Sequence, residues 1–379
     1  MSILFKKAYI IAALLILIGF IKIVPGDTWL TRTEDILVSE LEENHIPSAK
    51  DTWVARLDEQ IATIDESMPG SLGVYVKNLI DGHFLNYRAS DYWYLSSTIK
   101  IPVAIAILQK VESGEFSLDD ELTLRESDKV DGAGDLLWQE PGTRYTISSL
   151  IERMIRNSDS SATDMLIRLI GEDEFNQQIR KKMVPEGFNH ITTILQVRYD
   201  AYSEFHENIS NLTNMDIMYV HGTRSRQERL DRLTEKMSVS RGELKATSIE
   251  EAFERYYKRG LNSAKLESFG LLLERFYNRE LLSEEHTGYL LKIMEEVTTG
   301  DSRIKAGLPA GTRFAQKTGT QIESACNVGI IFHEDKDIND PVIINVCVEN
   351  FGNINEAEKA MELTGRVVYE TIFRKNDIN

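Results

Sequence analysis

Ser97 and Lys100 stand one helical turn apart at the head of an apolar stretch, Ser97-Thr98-Ile99-Lys100-Ile101-Pro102-Val103-Ala104-Ile105-Ala106-Ile107-Leu108. Spacing i, i+3 puts the hydroxyl and the amine on one helix face. The helix that follows is apolar almost all round, the pattern of a helix buried inside a domain. A lysine buried beside apolar walls must find a partner or shed its proton, because an isolated buried charge is costly. Neutral, it is a base, and the hydroxyl one turn earlier is what it can deprotonate. The helix N-terminus favours negative charge developing near Ser97. The same pair also suits a plain N-cap and a snorkelling lysine, so on its own it leaves both readings open.

Two further polar clusters interrupt apolar patterns. Asn157-Ser158-Asp159-Ser160 lies between the helical patterns of 150–155 and 165–167, where a capped turn is the plain reading. Phe314-Ala315-Gln316-Lys317-Thr318-Gly319-Thr320 follows a loop at 307–311 and reads as a strand. Two cysteines and seven histidines form no metal-ligating spacing, so neither a metal nor a cofactor is expected. A net charge of −17 with dispersed Lys and Arg argues against nucleic acid or an anionic membrane surface as partner.

The elements that must position these residues follow from patterning. At 379 residues and 42% hydrophobic, the chain can bury a large core. Lys6-Lys7 precede an apolar run at 8–21 that continues through Ile23-Val24, which reads 1–26 as a signal peptide or an N-terminal membrane anchor. Export to the periplasm or another extracytoplasmic space is the corresponding expectation. Residues 27–50 read as a linker with a short helix at 33–43. A helix at 52–66 carries Trp53, Leu57, Ile61 and Ile64 on one stripe. Segments 73–76 and 84–87 flank Asp81-Gly82 as a hairpin. Residues 112–142 are irregular, with Gly132-Ala133-Gly134 suited to a loop beside a cleft. Apolar runs at 328–332 and 342–348, separated by a charged turn at 334–340, read with the Lys317 strand as the edge of an antiparallel sheet. A helix at 354–373 closes a domain spanning 51–379. Within it, 221–261 is rich in Arg, Glu and Lys and reads as an inserted, solvated helical excursion, a partner-docking or gating element being the alternative. Cys326 and Cys347 fall near opposite positions on two strands, as a disulfide or as two buried thiols.

In chain order, Ser97-x-x-Lys100, Ser158-Asp159-Ser160 and Lys317-Thr318-Gly319 resemble the S-x-x-K, S-D-N and K-T-G set of class A β-lactamases and penicillin-binding proteins. The resemblance is closest to class A-type serine β-lactamases and runs from about residue 51 to residue 373. Pro141-Gly142-Thr143-Arg144-Tyr145-Thr146-Ile147 and Leu308-Pro309-Ala310-Gly311 add to it. It implies an α/β fold of the α+β type, a five-stranded antiparallel sheet flanked by helices plus an all-helical subdomain, with a cleft between them. It implies Ser97 as nucleophile, Lys100 as its base and Ser158 as the proton carrier to the leaving nitrogen. Lys317 would keep the Ser158 hydroxyl acidic and attract a substrate carboxylate, which Thr318 and Thr320 bind. The backbone N–H groups of Ser97 and Thr320 would form the oxyanion hole, with Gly319 and Ser160 beside the substrate.

Two departures from the family pattern bear on turnover. Ser160 stands where asparagine is usual and is too short to offer an amide to a substrate carbonyl. The family's E-x-x-L-N loop, whose glutamate activates the deacylating water, has no full match. Glu204 with Asn208 and Glu207 with Asn211 reproduce the Glu–Asn spacing without the leucine, so Glu204 and Glu207 are the candidate deacylation bases, with Asp200 behind them. The expected function is an exported, monomeric serine hydrolase opening β-lactam amides through a Ser97 acyl-enzyme. The alternatives are a peptidoglycan D,D-peptidase or esterase with slow deacylation, and a non-catalytic penicillin-binding sensor. Retention of all four catalytic residue types speaks against the sensor.

Overall fold

The computed structural model describes residues 52–373 apart from 224, 336 and 337. The N-terminal apolar run, the linker and its 33–43 helix lie outside the described residues.

Helix α1 (Trp53–Glu66) leads into the hairpin β1 (Ser71–Asn78) and β2 (Phe84–Tyr87), then the short β3 (Tyr92–Tyr94). A 3-10 turn, Ser96–Ile99, opens α2 (Lys100–Glu112). A small ribbon, β4 (Glu121–Thr123) with β5 (Arg144–Thr146), precedes α3 (Ile147–Arg156), α4 (Ser160–Ile170) and α5 (Glu172–Gln178). Next come α6 (Ile194–Ser203), α7 (Asn214–His221), α8 (Arg226–Met237) and α9 (Ile249–Tyr257). After β6 (Ser263–Lys265) the chain forms α10 (Leu266–Tyr277), α11 (Glu284–Glu295) and α12 (Ile304–Gly307). Strands β7 (Arg313–Gln321), β8 (Ser324–Asp335) and β9 (Ile338–Glu349) are followed by α13 (Ile354–Ile372).

The main sheet has the order β2-β1-β9-β8-β7, and every neighbouring pair is antiparallel. It is thus assembled from both ends of the domain. The period-2 alternation of its strands sends side chains to two different cores. Val342, Ile344, Val346 and Val348 of β9 pack with Leu57, Ile61 and Met361 of the two terminal helices, α1 and α13. Ile343 and Cys347 face the second core, built around α2, α3, α4, α10 and α11.

The strands carrying the runs 328–332 and 342–348 are interior, not the sheet edge that patterning suggested; the edges are β2 and β7, and of the three strands read together only β7 is an edge. Runs apolar on both faces are what a strand covered by helices on both sides requires. Pairing of β8 with β9 also continues to Asp335↔Ile338, within the 334–340 stretch that patterning read as a turn. Cys326 and Cys347 are paired in the β8–β9 register and form a disulfide.

Helix α2 is enclosed from Lys100 to Leu108. Pro102 falls in its first turn, where a missing N–H removes no helix hydrogen bond. Gly114 at φ 77 follows the helix end, a backbone conformation that glycine adopts without strain.

The 221–261 stretch is not a solvated excursion. Leu230, Leu233 and Met237 of α8 and Phe253 and Tyr256 of α9 share a third apolar core with Tyr202, Phe205 and Tyr94. The outward charges of α8 hid this seam, because three apolar positions on a twelve-residue helix leave it mostly polar in sequence.

Candidate active site

A cavity of about 500 Å³ has walls from the Ser96–Ile99 turn, the 132–134 loop, the head of α6 and the sheet-edge strand β7. Ser97, Ser158, Ser160, Thr318 and Thr320 all line it. Three motifs separated by up to 220 residues therefore meet in one place.

Local backbone geometry explains how. Ser96 and Ser158 both adopt left-handed conformations, φ 49 and φ 57, in which a non-glycine residue is strained. The first kinks the chain between β3 and α2, so that Ser97 sits at the cavity. The second bends the α3–α4 junction and turns the Ser158 side chain toward the two lysines. Asp159 fixes that junction. Its carboxylate caps α4 by accepting from Ala162 N (2.8 Å) and holds the 132–138 loop by accepting from Asp135 N (2.8 Å) and Leu136 N (3.0 Å). Gly319 allows β7 to pass against the nucleophile turn: a Cβ there would stand 2.6 Å from Leu95 O and 2.9 Å from Ser97 N.

Lys100 and Lys317 are both fully buried and converge on one hydroxyl. Lys100 Nζ donates to Ser158 O (2.5 Å) and Ser158 Oγ (3.1 Å). Lys317 Nζ donates to Ser158 Oγ (3.0 Å) and Thr318 O (2.9 Å). Burial lowers the Lys100 amine to about 7, against the pull of the Asp159 and Asp164 carboxylates. Burial also pushes Lys317 well below its usual range, with the neighbouring cations Lys100 and Arg303 adding to it. Neither amine is held as a permanent ammonium at neutral pH, and Ser158 Oγ links the two as a hydroxyl that can both accept and donate.

Ser97 shares the cavity, but its hydroxyl has no hydrogen-bond partner among the described residues. The structure therefore brings Lys100, Ser158 and Lys317 into direct contact and leaves Ser97 facing the same space without a direct bond to them. Among the described residues its backbone N–H donates to no backbone group outside its own 3-10 turn.

Beside the Lys317 strand, Thr318 Oγ1 and Thr299 Oγ1 lie 2.5 Å apart. Arg303 Nη2 donates to Thr320 Oγ1 (2.6 Å), and its Nη1 donates to Gly319 O (2.9 Å) and Cys326 O (3.0 Å). Glu358 holds this guanidinium from behind. Ser160 lines the wall with its N–H donating to Ala133 O (2.9 Å), and a Cβ on Gly132 would lie 2.4 Å from Ser160 Oγ.

The expected carboxylate bases do not reach the cavity. Glu204 is tied to Arg259 at the C-terminal end of α6, and Asp200 on the same helix accepts from Gln196 Nε2 (3.0 Å). Glu207 is exposed at the head of the 3-10 turn Glu207–Asn211. The part of this segment that does line the cavity is about two to three turns before Glu204: Ile194, Val197 and Arg198. Spacing between a glutamate and an asparagine says nothing about which side of a helix faces the site, and here the helix turns its apolar and cationic face inward. The buried carboxylate near this wall is Asp164, which accepts from Ile194 N (2.7 Å) and Leu195 N (2.9 Å) and anchors the head of α6 to α4. Burial, opposed by those two bonds, raises it to about 7.

The Beta-lactamase enzyme family model matches residues 56–372. The chain belongs to this family. It is a serine β-lactamase-like hydrolase. Beta-lactamase VEB-1 of Pseudomonas aeruginosa is 23% identical over 72% of this chain and 73% of its own length. Beta-lactamase FAR-1 of Nocardia farcinica is 25% identical over 82% and 81%. Among solved structures, an acyl-enzyme complex of a PBP-A mutant with penicillin G superposes with a TM-score of 0.63 at 22% identity, covering 85% of this chain and 97% of that one. Likeness at that identity carries the fold alone.

Arg198 and Arg303 are the cavity residues that motif reading passed over. A lone arginine has no spacing signature, and its partners, Asp131 and Glu358, are 67 and 55 residues away.

Proposed function

We propose that the protein is an exported serine acyl-transferring hydrolase that opens β-lactam amides through an acyl-enzyme on Ser97. The observation that carries this reading is the Lys100–Ser158–Lys317 hydrogen-bonded set, open to the same cavity as Ser97. Attack begins when the neutral Lys100 amine takes the Ser97 proton as the oxygen adds to the carbonyl carbon. The backbone N–H of Ser97, together with that of Thr320, receives the oxyanion. Ser158 hands a proton to the leaving nitrogen and is reprotonated through the lysines it already contacts. The substrate's carboxylate sits against Thr318 and Thr320, with the Arg303 guanidinium behind the latter. No metal or cofactor enters this scheme.

Deacylation separates the two substrate readings. Among the described lining residues the only carboxylate is Glu358, and it is engaged by Arg303 and Ser302. With Glu204 and Glu207 facing away, no lining carboxylate is free to activate water, which favours a slowly resolved acyl-enzyme. A D,D-peptidase or esterase acting on a peptidoglycan-type acyl group fits this observation better than fast antibiotic hydrolysis does. The cross-strand disulfide supports an extracytoplasmic location, where such bonds persist. Intact-protein mass spectra after addition of penicillin G test the reading. One covalent adduct, absent in Ser97→Ala, is the expected result, and unchanged labelling of that variant places the nucleophile elsewhere.

A further inference from the structure

Arg198 is more than nine-tenths buried and lines the cavity from α6. An arginine that serves only to bind a carboxylate usually presents two nitrogens in a fork. Arg198 does not. Asp131 takes Nε alone, with Nε to Oδ1 at 3.0 Å and to Oδ2 at 2.8 Å. Nη1 and Nη2 have no hydrogen bond among the described residues, yet they are not sealed from solvent. The accessible side of this residue is the cavity.

The surroundings hold the guanidinium in this pose. Asp131 is also contacted by His221 Nε2 (3.2 Å) from α7. Burial lowers that imidazole to about 4, so it is neutral and leaves the carboxylate's charge to Arg198. Asp164 clamps the head of the helix that carries Arg198. The fork is thus fixed by groups behind it and left open in front.

Ile194 is one helical turn before both Val197 and Arg198, at i+3 and i+4, and all three line the cavity. An aliphatic arm along Ile194 and Val197 would end at the two open guanidinium nitrogens. This wall belongs to different elements from the Thr318, Thr320 and Arg303 group, which takes the carboxylate on the leaving-group side.

We infer that Arg198 is a specificity-determining residue that binds an anionic carboxylate on the acyl side chain of the substrate, so the preferred donors are diacids: acyl groups with an aliphatic arm ending in a carboxylate. The inference rests on the Ser97 acyl-enzyme reading and names the substrate class for it. A planar carboxylate fits the open fork in a bidentate pair, which a carboxamide matches only partly and an ammonium opposes.

The test uses two thioester acyl donors identical except for the end of the arm, carboxylate in one and carboxamide in the other. Rates of Ser97 acylation by both are followed by intact-protein mass spectrometry on the full-length protein. The wild type is expected to prefer the carboxylate donor by about 10- to 100-fold, the range for a charge-assisted hydrogen bond. In Arg198→Gln the ratio of the two rates is expected to fall to within about twofold, and in Arg198→Lys part of the preference returns. The wild-type ratio needs no variant, so the inference stays testable if Arg198→Gln folds poorly. Equal acylation by both donors overturns the inference and leaves the acyl-enzyme reading standing. Acylation by neither donor, nor by penicillin G, removes that reading and the inference with it.

Discussion

Two buried lysines on one serine hydroxyl set the chemistry at the scale of single residues. Lys100 at about 7 divides between amine and ammonium near neutral pH, and only the amine can accept the Ser97 proton. Acylation is therefore expected to rise with pH through about 7 and level off above it. At pH 5 about 1% of Lys100 would be neutral, so stopped-flow acylation rates should fall about 100-fold below the plateau. Lys100→Ala should slow acylation by ~10²–10⁴, the usual loss with a positioned base, and should erase this limb of the profile. A pH-independent wild-type rate between 5 and 8 would contradict the assignment. The same shift has a stability sign. A lysine whose folded pKa lies below its unfolded value costs the fold nothing above about pH 10.4, and the cost grows as pH falls toward 7. Lys100→Met should then raise the melting temperature at pH 7 while slowing acylation as Lys100→Ala does, a pairing that calorimetry and labelling read together. Lys100, Ser158 and Lys317 were legible in sequence because each sits in a short motif with a fixed offset. Glu204 and Glu207 were misleading for the opposite reason: their offset exists, but helix rotation decides facing, and α6 turns Arg198 inward in their place.

Loops and strands place those residues, and their fixings are separately testable. Asp159 spends its carboxylate on three backbone N–H groups, one in α4 and two in the 132–138 loop. Asp159→Ala should lower stability by about 1–3 kcal/mol in urea titrations, from a lost cap and unsatisfied donors, and should loosen the loop against protease. No change in either measurement would mean that the loop is held by its other contacts. The disulfide joins β8 to β9 across 21 residues, and its Cys326 is the register partner of Gly319 on β7. Cys326→Ala with Cys347→Ala should cost about 2–4 kcal/mol, measured as a lower urea midpoint. At this scale most helices and strands follow from periodicity, since 52–66, 73–76, 84–87 and 354–373 all fall on observed elements within a few residues. Sheet order does not, because it depends on which apolar faces meet. Runs apolar on both faces look the same in sequence whether central or at an edge, and the β8 and β9 runs are central.

Across the whole molecule the charge balance is uneven in a way that matches the chemistry. The chain carries a net −17, while two arginines, Arg198 and Arg303, line the cavity that holds Ser97. The anionic acyl donor inferred above would be drawn to those two guanidinium groups and away from the rest of the surface. The third apolar core, formed by α6 to α9 with Tyr94, ties the cationic wall to the strand that leads into Ser97. Composition shows the acidic total but not this local reversal, which only folding produces. The central claim, that Ser97 forms an acyl-enzyme whose breakdown no lining carboxylate assists, is tested most directly by one time course. Wild-type protein is mixed with penicillin G, and the intact mass is followed from seconds to hours. The account predicts rapid, stoichiometric appearance of a single adduct on Ser97 that persists long after free penicillin is removed, with the same lifetime in Glu204→Gln and Glu207→Gln. An adduct that vanishes within seconds in the wild type and persists only in one of those two variants would contradict it.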